Sequence, residues 1–222
     1  MRINKYIAAS TGLSRRAADK AVQDGRVEVN DAIVTVAVDI TEQDTVRLDG
    51  QLLDSPKIEH TTILLNKPVG YVVSRDGQGS KTIYELLPLE LAALKPVGRL
   101  DKDSSGLLLM TDDGQLAHQL THPSFQKTKV YEIELDQPLQ PLHRQMISDM
   151  GISLEDGPSK LGLERLQDGN DRKWRVTMHE GRNRQIRRTF AGVGYTVVRL
   201  HRTQFGSYTL PATLKPGQYQ TT

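Results

Sequence analysis

Within residues 98–114, GRLDKDSSGLLLMTDDG, the tripeptide Arg99-Leu100-Asp101 is followed by a small polar loop, an apolar run and an Asp-Asp-Gly turn. A carboxylate on a loop that leads into a buried strand sits where a scaffold can aim it. Three readings fit Asp101 at this point: a nucleophile or base, a metal ligand, or a turn residue. A second group complements it. The segment 180–188, EGRNRQIRR, carries Arg182, Arg184, Arg187 and Arg188. On a helix Arg184, Arg187 and Arg188 lie three or four residues apart and share one face. Such a face can meet phosphates, while one member pairs with a buried carboxylate and keeps it ionised.

The metal reading has a definite form. Asp101, Asp103, Ser105, Gly106 and Asp112 fall at positions 1, 3, 5, 6 and 12 of a calcium-loop template. Leu109 at position 9 and Asp112 at position 12 depart from the polar group and the glutamate that the template requires. The run 107–110 reads as a buried strand, and Pro96 and Gly98 interrupt any entering helix. The absence of cysteine excludes disulfides, thiolate zinc sites and thiol catalysis together. No metal is expected.

The 222 residues suffice for one large domain or a small and a medium one, and 37% hydrophobic with 5% aromatic residues is ordinary globular composition. No apolar run approaches the length of a membrane span, and MRINKYIAAS lacks a signal-peptide core, so a cytoplasmic protein with no membrane partner is expected. The net charge of +2 conceals an uneven distribution. Residues 1–26 hold Arg2, Lys5, Arg15, Arg16, Lys20 and Arg26 against Asp19 and Asp24, whereas 182–202 hold six arginines and no acid. Two cationic clusters at opposite ends of a nearly neutral chain suggest a polyanion gripped in two places.

The elements that must position these groups follow from periodicity and caps. A short helix carrying Ile3 and Ile7 ends near Gly12. Ser14 caps a second, with Ala17, Ala18, Ala21 and Val22 at helical spacing until Gly25. Strands 27–29 and 33–34 flank Asn30-Asp31, and 45–50 adds another strand. This module, 1–54, is too small to bury an enzyme core and reads as a binding domain. A linker is expected at 55–60, around Pro56. In 61–222 strands are expected at 63–65, 71–73, 107–111, 130–135, 161–166, 174–178 and 195–200. Short helices are expected at 82–87, 89–94 and 114–121, and longer ones at 141–150 and 183–193. The fold class is α+β: a small helix-turn-helix/β binding domain, then a domain on a mixed, largely antiparallel sheet.

The GRLD-x4-GLLL-x-T-x-DG segment resembles the signature of the RNA pseudouridine synthases, in the RsuA/RluB branch. Lys129-Val-Tyr131 is similar to that family's second motif. Glu180–Arg188, with Val193-Gly-Tyr195 and Arg199-Leu-His-Arg202, is similar to its third. The first domain resembles the αL-type RNA-binding domain, named after a small-subunit ribosomal protein, that this branch carries. The resemblance covers essentially the whole chain.

It implies an isomerase without cofactor or metal that turns a uridine already in RNA into pseudouridine. Asp101 would be the catalytic carboxylate, held by Arg187. Whether it attacks the base, attacks the ribose or removes a ribose proton stays open. Tyr131 would stack on the flipped base and Leu200 would form the apolar wall of its pocket. Arg99 would assist flipping or contact phosphate, with Arg182, Arg184 and Arg188 as phosphate anchors. Arg2, Lys5, Arg15, Arg16 and Lys20 would hold a neighbouring RNA segment. Partners expected are ribosomal RNA or pre-ribosomal particles, with the chain a monomer. The segment 151–157 and the form EGRNRQIRR look closer to RluB-like members, which favours 23S rRNA. The ending at Tyr219–Thr222, without the basic tail of some relatives, counts the other way. A 16S rRNA synthase and a noncatalytic ribosome-assembly factor remain as alternatives.

Overall fold

In the computed structural model, which describes residues 1–41, 43–54 and 60–222, the chain divides between Met1–Glu59 and His60–Thr222. The linker expected at 55–60 lies, apart from His60, outside the described residues. Among the described residues no helix is long and apolar enough to cross a membrane.

The first unit is built as its caps and turns dictate. Helix α1 (Ile3–Thr11) stops at Gly12, whose φ of 76° is the left-handed cap glycine favours. Helix α2 (Arg15–Gln23) opens on Ser14, whose hydroxyl accepts the Ala17 amide at 3.1 Å. Strands β1 (Val27–Val29) and β2 (Ala32–Val34) join through Asn30 and Asp31 at φ 50° and 63°, the positive pair a two-residue hairpin turn needs. Asp49 and Gly50, at φ 52° and 77°, repeat that turn between β3 (Val46–Leu48) and β4 (Gln51–Leu52). The sheet runs β2-β1-β3-β4. Ile3, Ile7, Ala18, Ala21, Val22, Val27 and Val46 form its core.

The second unit carries a mixed sheet in which β13 and β7 run parallel and every other pair is antiparallel. Its strands are β5 (Thr62–Lys67), β6 (Lys95–Val97), β7 (Ser105–Thr111), β8 (Lys129–Leu135) and, after the small hairpin β9 (Ile152–Leu154) and β10 (Gly157–Ser159), β11 (Gly162–Arg165), β12 (Lys173–Met178), β13 (Val197–Phe205), β14 (Tyr208–Thr209) and β15 (Tyr219–Thr221). The order is β11-β12-β8-β13-β7-β5-β15, with β14 on β13 and β6 on β7. Helices α3 (Gly114–Thr121), α4 (Pro141–Gln145) and α5 (Gln185–Ala191) complete it.

Strand β7 explains the apolar run of the opening motif. Leu108 and Met110 join Ile63, Leu65 and Ile133 in one cluster, while Leu107 and Leu109 join Leu64, Val97, Leu120 and Phe205 in another. A strand covered on both faces reads as a continuous hydrophobic stretch. Each of these four leucine and methionine side chains contributes about 1.5–3 kcal/mol of burial. The same strand disposes of the calcium template. Asp101 and Asp112 lie beyond its opposite ends, about 20 Å apart at roughly 3.3 Å per residue, and cannot share an ion. Asp113 instead caps α3, accepting the Gln115 and Leu116 amides at 2.8 and 3.2 Å.

Several elements differ from the sequence pattern. Residues 71–73 form no strand, only an isolated bridge from Val72 to Thr82. The helices expected at 82–87 and 89–94 are 3-10 turns, Ile83–Leu86 and Leu89–Leu91, because Pro88 leaves neither a full α-turn. The helix expected over 141–150 changes after Gln145 into a π-turn, Met146–Met150, that ends at Gly151. Strand β13 begins and ends later than 195–200, since pairing with β8 carries it through Arg202 to Phe205.

Candidate active site

The loop 98–104 joins antiparallel neighbours β6 and β7 and carries Asp101. Its backbone is gathered from below by Lys67, the last residue of β5. The Lys67 ammonium is fully buried and donates to the carbonyls of Pro68 (3.0 Å), Asp101 (3.0 Å) and Ser104 (2.7 Å). Three acceptors satisfy an ammonium's three donors, so one buried charge fixes both ends of the turn. Burial still pushes Lys67 down to about 8, against the opposing charges of Asp101 and Asp103. Lys67 is absent from the expected site residues. Its signal was a lysine closing the run TILLNK, every residue of which is buried.

Guanidinium groups approach the carboxylates from α5. Arg184, held at a left-handed φ of 46° just before that helix, donates to Asp101 Oδ2 at 3.3 Å and to both Asp103 oxygens at 3.2 and 3.0 Å. Arg187 donates to the Asp103 carbonyl at 3.0 Å, lies 3.3 Å from Asp103 Oδ2, and donates from its other arm to the Val197 carbonyl. The expected Arg187–Asp101 pair is therefore not made here. Asp103 and the start of β13 occupy the Arg187 fork, and Arg184 takes Asp101. Hydrogen bonds from Arg184 hold the Asp103 carboxyl below its ordinary range, with the Arg187 charge adding to them. Burial pushes the Arg187 guanidinium down.

Asp101, Tyr131 on β8, Leu200 on β13, and Arg99, Arg184 and Arg187 all line one cleft of about 1060 Å³. Such a volume exceeds that of a single small-ligand pocket and has room for more than one nucleotide. Tyr131 and Leu200 are each 8% exposed, so a planar group entering beside Asp101 meets a ring and an aliphatic wall. Arg99 is exposed on the rim. Arg182 and Arg188, expected as phosphate anchors, are tied up within the protein. Arg182 donates to Asp156 Oδ1 and to the carbonyls of Asp156, Gly157 and Pro158. Arg188 makes a two-pronged pair with the same Asp156 carboxylate at 3.2 and 2.6 Å. Together they fasten α5 to the β9–β10 hairpin.

The basic residues of the first unit divide in the same way. Arg2 faces Asp39 at 3.7 Å, Lys20 faces Asp24 at 3.1 Å, and Arg15 reaches the Asn4 side chain at 3.4 Å. Among the described residues Lys5 and Arg16 meet no carboxylate within ion-pair distance. Arg15 and Arg16 fill the first turn of α2, which holds no acid. Cations there oppose the helix dipole, so the stability of α2 alone does not account for them.

Comparison with known proteins matches residues 61–192 to the family described as RNA pseudouridylate synthase, and residues 1–46 to the S4 domain. Over 99% of its length the chain is 36% identical to ribosomal small subunit pseudouridine synthase A of Haemophilus influenzae, covering 95% of that protein. It is equally identical, at 36%, to ribosomal large subunit pseudouridine synthase B of Xanthomonas campestris, but spans only 46% of that longer chain. A solved structure of a pseudouridylate synthase superimposes with a TM-score of 0.70 at 36% identity, covering 100% of this chain and 96% of the other.

Proposed function

The chain belongs to the RNA pseudouridylate synthase family, and on that premise we propose that it isomerises a uridine of ribosomal RNA with Asp101 as the catalytic carboxylate. One observation carries the reading: an acid held by arginine, a ring and an aliphatic wall converge in a cleft larger than one nucleotide. A uridine stacked in RNA must first leave its neighbours, at a cost of a few kcal/mol. Stacking on Tyr131 returns about 1–3 kcal/mol, and Leu200 adds an apolar wall to the same cleft. In the reaction the bond from ribose C1′ to N1 of uracil breaks and a bond from C1′ to C5 forms. The C5 proton is lost and N1 gains one, so substrate and product are isomers and no electrons change hands. Asp101 in its ionised form serves each of the open routes, whether it attacks base or ribose or removes a ribose proton, and the Arg184 guanidinium, 3.3 Å away, orients the carboxylate.

The 23S rRNA is the finer assignment that we carry into the test. The two features that favour it, the segment 151–157 and the arginines of 180–188, meet at Asp156. Their joint occurrence therefore has a structural cause as well, and the 16S rRNA must be the parallel arm.

The reading is tested by tritium release from C5-labelled uridine in 23S and 16S transcripts and in ribosomal particles, with wild type beside Asp101→Asn. Release is expected from wild type, from 23S rRNA first, and none above background from the variant. No release from any substrate would sink the synthase reading, and full activity in Asp101→Asn would remove Asp101 from its role.

A further inference from the structure

Along the same cleft, away from Asp101, a positive charge is left uncompensated. Arg202 lines the cleft yet is 2% exposed. Its Nε donates to the Leu107 carbonyl at 2.7 Å, and its guanidinium lies 4.9 Å from the centre of the Phe205 ring. Nη2 is buried without a hydrogen-bond partner, and among the described residues no carboxylate reaches the group. Lys129 Nζ lies 5.2 Å from the same ring centre and 3.2 Å from the Glu180 carbonyl. The Glu180 carboxylate itself is engaged by Arg182 and Gln185. Burial, and then the charge of Arg202, push Lys129 below its ordinary range.

Two cations against one ring, with a carbonyl each and only the charge of Glu180, already engaged by Arg182 and Gln185, to oppose them, are under-solvated. What completes such a site is an anion with several acceptor oxygens, which arginine and lysine recognise together. The walls leave room for its approach. Gly98 and Gly181 line the cleft here, and a side chain at Gly181 would begin 3.5 Å from the Lys129 ammonium. The sheet register sets the distance from the base pocket. Arg202 stands opposite Tyr131 and Phe205 opposite Lys129. Lys129 is thus two residues from Tyr131 along β8, about 7 Å at roughly 3.3 Å per residue. That is the reach of one nucleotide.

We propose that Arg202 and Lys129, sharing the Phe205 ring, bind one backbone phosphate of the RNA beside the nucleotide whose base enters the Tyr131–Leu200 pocket. The site rests on the reading of that cleft as a uridine pocket. It fixes the register of the strand and so chooses which nucleotide can flip, whereas Tyr131 and Leu200 only accept the base. Phosphate contacts position in this way without reading sequence.

The test uses the full chain, the 16S and 23S transcripts, and a short RNA around whichever uridine wild type converts. Lys129→Gln is expected to reduce the slope of log affinity against log salt by about one. It should lower kcat/KM by about tenfold, chiefly through KM, with Lys129→Arg restoring both. Arg202→Met, whose methylenes keep the Phe205 contact, should match those losses while its thermal midpoint stays near that of wild type. If Arg202→Met fails to fold, Lys129→Gln carries the test. A neutral methylphosphonate at one phosphate of the short RNA should cost wild type the same factor and cost Lys129→Gln nothing further. An unchanged salt slope, or full additivity at every phosphate, overturns the site. Wild type that binds both transcripts but releases no tritium would end the synthase reading, and the salt slope would still decide the phosphate site.

Discussion

Asp103 is the residue on which Arg184 and Arg187 converge, and it separates two roles that one arginine was expected to fill. Arg184 bridges Asp101 and Asp103, while Arg187 holds the Asp103 backbone and reaches its carboxylate. Removing the Asp103 charge frees both guanidinium groups to move, so Asp103→Asn is expected to lower kcat/KM by about ten- to hundredfold with the fold intact. A variant with wild-type kinetics would show that the bridge does not position Asp101. The same pair has a pH signature. Because its carboxyl is held below its ordinary value, the contribution to stability is present above the unfolded value and is lost as pH falls through the folded one. Carbon-13 NMR of the Asp103 carboxyl should show that low titration point, and Arg184→Gln should raise it. Asp101, Tyr131 and Leu200 could be picked from the sequence because they occupy motif positions beside apolar strands. Asp103 and Lys67 could not. A polar loop has no periodicity to mark one acid, and a lysine before a Pro-Val-Gly turn reads as solvated until the strand below it proves buried.

At the scale of elements, Gly106 sets how closely β7 and β13 can run. A Cβ there would stand 2.2 Å from the Arg202 carbonyl oxygen and 2.6 Å from its amide nitrogen, and the residue adopts φ 103°. The glycine five residues after Asp101 is therefore demanded by backbone contact, which brings Leu200 and Arg202 alongside the Asp101 loop. Gly106→Ala should part the two strands and destabilise the catalytic unit by about 3 kcal/mol or more, read by urea unfolding. A loss under about 1 kcal/mol would mean that the two backbones can separate at little cost. Strand β7 was legible because burial on both faces leaves an unbroken apolar run. The full length of β13 was not, since Arg199, His201 and Arg202 interrupt the pattern and only pairing with β8 extends it. The β9–β10 hairpin was hidden for a similar reason: what fastens it is Asp156 between Arg182 and Arg188, an interaction across more than twenty residues that no local pattern carries.

At the scale of the whole molecule, the two units keep separate cores. Every residue of the Ile3–Val46 cluster belongs to the first, and both clusters around β7 belong to the second. We therefore propose the division near residues 55–60, and expect a chain beginning at His60 to fold alone with its far-ultraviolet signal and cooperative unfolding retained. Its RNA binding should weaken, because a tethered first unit raises the effective concentration of its partner. The size of the salt effect follows from charge placement. Residues 1–59 carry eight Lys/Arg against ten Asp/Glu, so the unit is net acidic and its attraction for RNA must come from cations that no carboxylate engages. Arg2 and Lys20 face acids there, which leaves Lys5, Arg15 and Arg16 to displace counterions. Truncation should then reduce the salt slope by about two to three, at roughly 0.7–0.9 for each phosphate no longer neutralised. An unaltered slope would confine RNA binding to the catalytic unit, and loss of cooperative unfolding would place residues of the first unit within the fold of the second.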